Sequence, residues 1–398
     1  MTKRILVIIQ RSNGDVLLSL PLINSLFEFF DSPEIDLLVN DDTYPVAKLL
    51  PNIKSIYEFS YQKKQNYRYK QEKKIIKQIF RKYDLSINLT SSDRSVIYAL
   101  LASKKSISAV EKTFKKSWWK KLFLTNYYYF DFNNHILKNN LQPLNYLGIK
   151  HSKVMPSLKV SKAAMEKVKK NLKERNIYEF LIFHPSAQYH YKIYPQYYRH
   201  KLLQKLSTLN VTILVTGSSN EIDSEIKYNL QSIPNIIDLI GETTLEEYIA
   251  LSELSKGYIG MDTLNMHIAA MQNKRIFAIF GPTITSMWSP WSRDLNKASS
   301  KNTPLQKYGN ITIFQANMEC VACGKAGCNN SGTSICLDNI NPNHIINWKL
   351  YTGENIPVFS LKKIYLQGKV IDVHDGNTIS CIFFIPLYNT VFNLTVRL

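Results

Sequence analysis

Residues 4 to 9 are apolar from Ile5 onward, a run that gives way to the polar turn Gln10-Arg11-Ser12-Asn13-Gly14-Asp15. Val16, Leu17, Leu20, Leu22, Ile23, Leu26 and Phe27 follow at helical spacing. The pattern predicts strand, turn and helix. Further strands are expected at Ile35 to Val39 and Asp84 to Leu89, the β-α-β rhythm of a parallel sheet. After a lysine-rich helix near Ala163 to Arg175 the rhythm restarts, with strands at Phe180 to His184, Val211 to Thr216, Ile236 to Leu239, Gly257 to Gly260 and Arg275 to Phe280. The α/β class follows, with two doubly wound halves meeting near 155 to 175. Beyond Phe314 the rhythm fails: a cysteine-bearing loop precedes a short helix at Asn341 to Leu350, entered at Pro342. From Asn355 the chain reads as β, with Lys362 to Val373 and Thr378 to Pro386 alternating around a His374-Asp375-Gly376-Asn377 turn. The expected division is 1–160, 161–340 and a helix with a small β appendage at 341–398.

Length and composition are consistent with this: 398 residues, 45% of them hydrophobic, can bury a core in each half. Only the five residues Ile5 to Ile9 precede Gln10, too few for a signal-peptide core or a membrane span, so a cytoplasmic location is expected. The formal charge of +19 calls for an anionic partner: nucleic acid, a phosphorylated substrate or an acidic membrane surface. Most of the excess lies in the first half. One run contains Lys63, Lys64 and Arg68; a second places Lys115, Lys116, Lys120 and Lys121 around Trp118 and Trp119. Each run alone reads equally as a solvated helix face, but the interleaved aromatic rings favour an acceptor-facing or membrane surface.

Four of the five cysteines fall in Cys320-x2-Cys323-x4-Cys328-x7-Cys336, a spacing that suits a structural Zn or Fe site, with free thiols as the alternative. The first strand-to-helix turn lacks G-x-G-x-x-G, which excludes a nicotinamide site there, and instead puts Asp15 on the first helical turn. From local sequence alone this is equally a dipole-favoured helix start. A second such transition, Gly260-Met261-Asp262-Thr263-Leu264-Asn265-Met266-His267-Ile268-Ala269-Ala270, sets an acid, a hydroxyl and a histidine where open α/β sheets bind phosphorylated ligands.

Ser12-Asn13-Gly14-Asp15-Val16-Leu17-Leu18-Ser19-Leu20-Pro21 resembles the opening motif of glycosyltransferase family 9, the ADP-heptose lipopolysaccharide heptosyltransferases. Asp262 to Ala270 resembles their donor motif. Between and beyond them, His184-Pro185-Ser186, Lys192-Ile193-Tyr194-Pro195, Thr216-Gly217-Ser218-Ser219-Asn220-Glu221 and Phe280-Gly281-Pro282-Thr283 fall in family order. The resemblance implies the GT-B architecture, two Rossmann-like domains facing a cleft. It implies inverting transfer of heptose from ADP-heptose to the inner core of lipopolysaccharide or lipooligosaccharide. Asp15 would be the general base and Lys192 the diphosphate partner, with Ser186 beside it. Glu221 would hold the ribose, and Asp262, Thr263, Leu264 and His267 would complete the donor site. No cofactor is required for that chemistry. Leu264 departs from the pattern, since the family usually has Gly after Asp-Thr. The acceptor would be an anionic glycolipid such as Kdo-lipid A or core, and the enzyme would sit peripherally on the inner membrane. A family branch that modifies autotransporter proteins, also cysteine-bearing, supplies the alternative of a protein acceptor. A non-catalytic basic binding protein is the reading from a different class, though no nucleic-acid module is recognisable.

Overall fold

The structure, a computed structural model, describes residues 2–150, 156, 158–209, 211–350, 368–375, 378–385 and 390–397, without the side chains of 64–66, 68, 330 and those from 347 onward. Its first six strands are β1 (Arg4–Ile9), β2 (Glu34–Asn40), β3 (Ile53–Phe59), β4 (Leu85–Asn88), β5 (Ser106–Val110) and β6 (Asn126–Tyr129). They form one parallel sheet in the order β3-β2-β1-β4-β5-β6. The next seven are β7 (Phe180–His184), β8 (Thr212–Gly217), β9 (Ile236–Ile240), β10 (Gly257–Met261), β11 (Arg275–Phe280), β12 (Leu305–Tyr308) and β13 (Ile311–Gln315). Their sheet runs β12-β13-β11-β10-β7-β8-β9, parallel except for the β12–β13 pair. The two-sheet α/β reading holds. Both sheets reverse strand order beside their first strand, at β1/β4 and at β7/β10, and ligands of such sheets bind beyond the strand ends at that reversal.

β1, β7 and β10 are buried almost throughout, as expected for strands covered on both faces. β3, β5, β6, β12 and β13 lie outside the strands read from the sequence, for identifiable reasons. β3 is a half-exposed edge. β5 is interrupted by Ser106 and Ser108, whose burial is made tolerable by polar partners: Asn88 Nδ2 reaches Ser108 Oγ at 2.9 Å and Ser95 Oγ at 3.2 Å. The helix expected from Val16 to Phe27 is two helices, Asn13–Leu17 and Leu20–Phe29. Pro21 has no N–H for the carbonyl of Leu17 and its ring crowds that carbonyl, so the chain breaks at Leu18-Ser19, where Ser19 Oγ donates to Val16 O at 2.7 Å.

The chain divides into two units, Met1–Asn347 and Trp348–Leu398, so both large sheets belong to the first. The second contains the antiparallel sheet β14 (Gly368–Asp375), β15 (Thr378–Ile385) and β16 (Thr390–Arg397), one strand more than the two expected. Gly376 and Asn377 of the expected hairpin turn, and 362–367 of its first arm, lie outside the described residues. No helix among the described residues is long and apolar enough to cross a membrane.

The two basic runs are the helices Tyr61–Ile79 and Phe114–Phe123. Lys63, Lys115 and Lys116 are exposed, and Lys121 is half-buried; the side chains of Lys64 and Arg68 lie outside the described residues. Lys120 and Trp119 correct the expectation of a uniformly outward surface. Lys120 is fully buried, its ammonium 2.8 Å from Asp93, 2.8 Å from Glu111 and 2.6 Å from the carbonyl of Ser91. Trp119 is half-buried against Val96, Val110 and Leu124. A buried ammonium needs charged and polar partners on every donor, and these three supply them. Lys120→Ala is therefore expected to lower unfolding free energy by roughly 2–3 kcal/mol, less than for a sealed ion pair because both acids keep contact with water. Urea denaturation checks this, and unchanged stability would show that Lys120 is not the anchor of its helix.

Candidate active site at the facing strand ends

The strand ends of the two sheets line one cleft of about 650 Å³. On one wall stand Arg11, Ser12, Asn13 and Gly14, the turn after β1; on the other, residues after β7, β8, β9 and β10. The walls meet closely at Gly14, where a β-carbon would lie 3.4 Å from the His267 ring. A second tie is His135. Its Nδ1 accepts from the Leu137 amide at 3.2 Å, so Nε2 carries the hydrogen and donates to Ser289 O at 2.8 Å.

Asp15 sits behind the cleft wall. Ser12 Oγ donates to its Oδ2 at 2.6 Å, and Arg11 Nε lies 2.8 Å from its Oδ1. Ser12 N also donates to Oδ2 at 3.2 Å, the bond that closes the capping box of the short helix, while Oδ1 of the buried carboxylate is held by the ion pair. Arg11 in turn lies over the Phe130 ring at 4.5 Å and reaches the Trp288 ring of the opposite half at 5.9 Å.

The opposite wall is built on the helix Leu264–Met271, with Thr263 as N-cap accepting from the Asn265 amide at 3.2 Å. Asp262, Thr263, Leu264 and His267 all line the cleft, as do Ser186 and Lys192. Lys192 Nζ donates to Asp262 Oδ2 at 2.9 Å, with the carboxylate side chain only 7% exposed. Burial works against the ammonium, yet the attraction and hydrogen bond of Asp262 outweigh it and hold the Lys192 pKa above its ordinary value. His184, buried at the end of β7, contacts Thr216 Oγ1 at 3.1 Å and Asn265 Nδ2 at 3.0 Å. Gly260 is required beside it, because a β-carbon there would lie 2.3 Å from the His184 carbonyl. His267 Nδ1 is buried with no hydrogen-bond partner among the described residues.

Of the site residues expected from the sequence, Glu221 is not brought into the cleft. It is exposed at the start of the helix Glu221–Tyr228, while its neighbours Asn220 and Asp223 line the cavity. The reason is local: Asn220 is the N-cap, and Asp223 turns back to accept from Ser218 N at 2.7 Å, leaving the first helical residue on the solvent side. Arg11, Asn265, Tyr248 and Lys325 line the cleft without having been singled out. Lys325 belongs to the cysteine segment, which reaches the cleft because Gly324 N donates to Pro282 O at 2.8 Å. Cys320, Cys323, Cys328 and Cys336 are free thiols. Burial first, then the neighbouring Cys328, Cys323 and Cys320, pushes Cys336 up to about 11. Among the described residues no three His, Cys, Asp or Glu side chains converge as a metal-holding group.

Residues 73–316 match glycosyltransferase family 9 (heptosyltransferase). The chain belongs to that family. Lipopolysaccharide heptosyltransferase 3 of Escherichia coli is 26% identical over 298 residues, covering 72% of this chain and 85% of that protein. Among solved structures, E. coli heptosyltransferase WaaC with ADP superposes with a TM-score of 0.65 at 15% identity, over 87% of this chain and 98% of that one. The E. coli ADP-heptose lipopolysaccharide heptosyltransferase II gives 0.62 at 18% identity, over 86% and 96%. The two parallel sheets thus share the GT-B fold of these heptosyltransferase structures.

Burial pushes His135 down to about 3, with the Ser289 carbonyl opposing. It pushes His184 down to about 4 against the pull of Asp223, and His267 down to about 4 against that of Asp262. All three fold neutral, whereas in the unfolded chain they protonate near 6.5. Their contribution is complete above that value and is lost as pH falls toward the folded values, because only the unfolded state takes up the protons. Each histidine is expected to cost about 2 kcal/mol of stability at pH 5 relative to neutrality. Equilibrium unfolding followed from pH 7 to 5 checks this; a flat profile would contradict neutral burial.

Proposed function

We propose that this chain is an inverting heptosyltransferase that moves heptose from ADP-heptose to a hydroxyl of an anionic lipopolysaccharide or lipooligosaccharide core acceptor. The observation that carries this reading is the contact of Gly14 with His267, which sets the Asp15 turn of one sheet against the Asp262–His267 helix of the other across one cleft. The names of the related heptosyltransferases support the donor and acceptor class.

In this mechanism the donor diphosphate lies at the N-terminus of the helix Leu264–Met271, where free amides and the helix dipole favour negative charge. The acceptor hydroxyl gives its proton to Asp15 as its oxygen attacks the anomeric carbon from the face opposite the diphosphate. The bond from that carbon to the β-phosphate oxygen breaks, and ADP leaves with the electron pair, inverting the centre. Asp15 is freed for this by an outward swing of Arg11, whose place on the carboxylate is taken by the acceptor hydroxyl. Lys192 stabilises the charge that grows on the departing diphosphate, and Ser186 donates to the same oxygens. His267, kept neutral by burial, can offer a hydrogen bond from Nδ1 without adding charge. Asn220 and Asp223 replace Glu221 as the polar groups nearest a bound ribose. Leu264, at the first turn of the helix, narrows the approach of backbone to phosphate that Gly would permit. No metal enters the reaction.

Incubating the protein with ADP-heptose and a panel of truncated lipopolysaccharides, with ADP release and product anomer as readouts, tests the reading; absence of transfer to every acceptor overturns it. Asp15→Asn is expected to keep ADP binding and lose ~10² to 10⁴ in turnover, and activity near wild type would remove Asp15 as base. Lys192→Ala should weaken ADP binding because it both deletes a cation and leaves Asp262 facing the phosphates. Adding Asp262→Asn should recover part of that affinity. Titration calorimetry with ADP reads both, and an unchanged affinity in Lys192→Ala would remove Lys192 from the diphosphate site.

A further inference from the structure

The helix Phe114–Phe123 is built inside out. Its buried residues are Ser117 and Lys120, while Phe114, Trp118 and Leu122, four residues apart on one stripe, are 72%, 52% and 70% exposed. Phe123 beside them is 64% exposed. A helix on a sheet ordinarily turns its apolar stripe inward. Here the inward face is held by the Lys120 ammonium on Glu111 and Asp93 and by the half-buried Trp119 against Val96, Val110 and Leu124, while the buried Ser117 Oγ donates within the helix to Thr113 O at 3.0 Å. Large apolar groups left outward in a row mark a surface that meets a partner.

Charge identifies the partner. Lys112, Lys115 and Lys116 are exposed around the stripe. Lys121 completes it, its ammonium 5.9 Å from the Phe114 ring and 4.9 Å from the Tyr129 ring, with its Nζ donating to Tyr129 Oη at 2.9 Å. A second copy of this chain would press lysines onto lysines in a symmetric pairing. A nucleic acid would use the lysines and leave the stripe in water. A bilayer with anionic headgroups satisfies both, rings and aliphatic chains entering the interface while ammonium groups stay at headgroup level. The surface also continues toward the cleft: Lys112 pairs with Asp131 at 3.5 Å, and the loop between them and the cleft carries Phe132, 66% exposed and on the cleft wall.

We propose that Phe114, Trp118, Leu122 and Phe123, ringed by Lys112, Lys115, Lys116 and Lys121, form a docking face for an anionic lipid bilayer. This differs from a basic surface spread over both lysine-rich runs: among its described side chains the helix Tyr61–Ile79 exposes lysines and the tyrosines Tyr61, Tyr67 and Tyr69 but no row of large apolar groups four residues apart, and the inward Trp119 and Lys120 take no part. The inference goes beyond the transfer reaction, and its readouts need no turnover.

The test is co-sedimentation with phosphatidylcholine vesicles with and without phosphatidylglycerol. The intact protein is expected to bind only the anionic vesicles, and more weakly as salt rises. Phe114→Ser, Trp118→Ser and Leu122→Ser combined should lower the partition roughly tenfold or more at any salt. Lys115→Gln with Lys116→Gln should lower it roughly fivefold per lysine at low salt only. Thermal melting and ADP affinity of each variant establish that it is folded. Brominated anionic lipid should quench tryptophan emission in the wild type, and Trp118→Phe should remove most of that quenching. Equal vesicle binding by the triple-serine variant overturns the proposal. So does a Trp118 already shielded from iodide without lipid, which would mean that the chain covers its own stripe. Self-association abolished by the same variant, with no vesicle binding in the wild type, would assign the face to a second copy. Loss of transfer activity with intact vesicle binding would overturn the enzyme reading and leave this one standing.

Discussion

Two ion pairs at the strand ends set what the cleft can hold. Arg11 is bound to Asp15 on one wall and Lys192 to Asp262 on the other, so that each cation is neutralised by a buried carboxylate. A cleft with unpaired buried cations would pay a large desolvation cost while empty. A cleft whose cations were sealed from water could not release them to a ligand. Lys192 lies between these limits: its side chain is 25% exposed, and Asp262 holds it charged. In the proposed reaction an arriving diphosphate would compete for the ammonium rather than create a new charge in the protein, and the same exchange on the other wall would free Asp15 from Arg11.

The exchange depends on the two sheets being held at fixed spacing, and two small features do this. Gly14 lets the first turn lie against the His267 ring, and His135 ties the loop after β6 to the Ser289 carbonyl. Each is a packing or hydrogen-bond requirement with no chemistry of its own. Together they convert two independent strand-end crevices into one site. The three buried neutral histidines couple this site to stability, since protonating any of them in place would put an unpaired charge into the joint between the sheets.

Much of this was legible in the sequence. The apolar runs at 5–9, 180–183 and 276–280 pointed to both sheets, because a strand covered on both faces is apolar along its buried length. The Asp262–His267 segment, Ser186 and Lys192 came together as expected, each lying just past the end of a strand, where the fold itself dictates convergence. Glu221 stands outside the cleft because a helix N-terminus offers several side chains within one turn, and capping geometry decides which of them faces in. The capped state of Asp15 was an open alternative at the sequence level, and its partner Arg11 was invisible to any pattern of periodicity. The helix Phe114–Phe123 is the clearest case: its lysines and both tryptophans read as one outward surface, and only the structure divides them, leaving Phe114, Trp118 and Leu122 outside while Trp119 and Lys120 turn in.

The central claim is that the cleft between the facing strand ends is the nucleotide-sugar site. Hydrogen–deuterium exchange of the intact protein with and without ADP tests it most directly. Protection is expected in the segments after β7, β8, β9 and β10, namely 185–192, 217–223, 243–248 and 262–267, with the Arg11–Gly14 turn unaffected until donor sugar and acceptor are added. Protection confined to segments outside the cleft, or binding of ADP that leaves 185–192 and 262–267 unchanged, would contradict it.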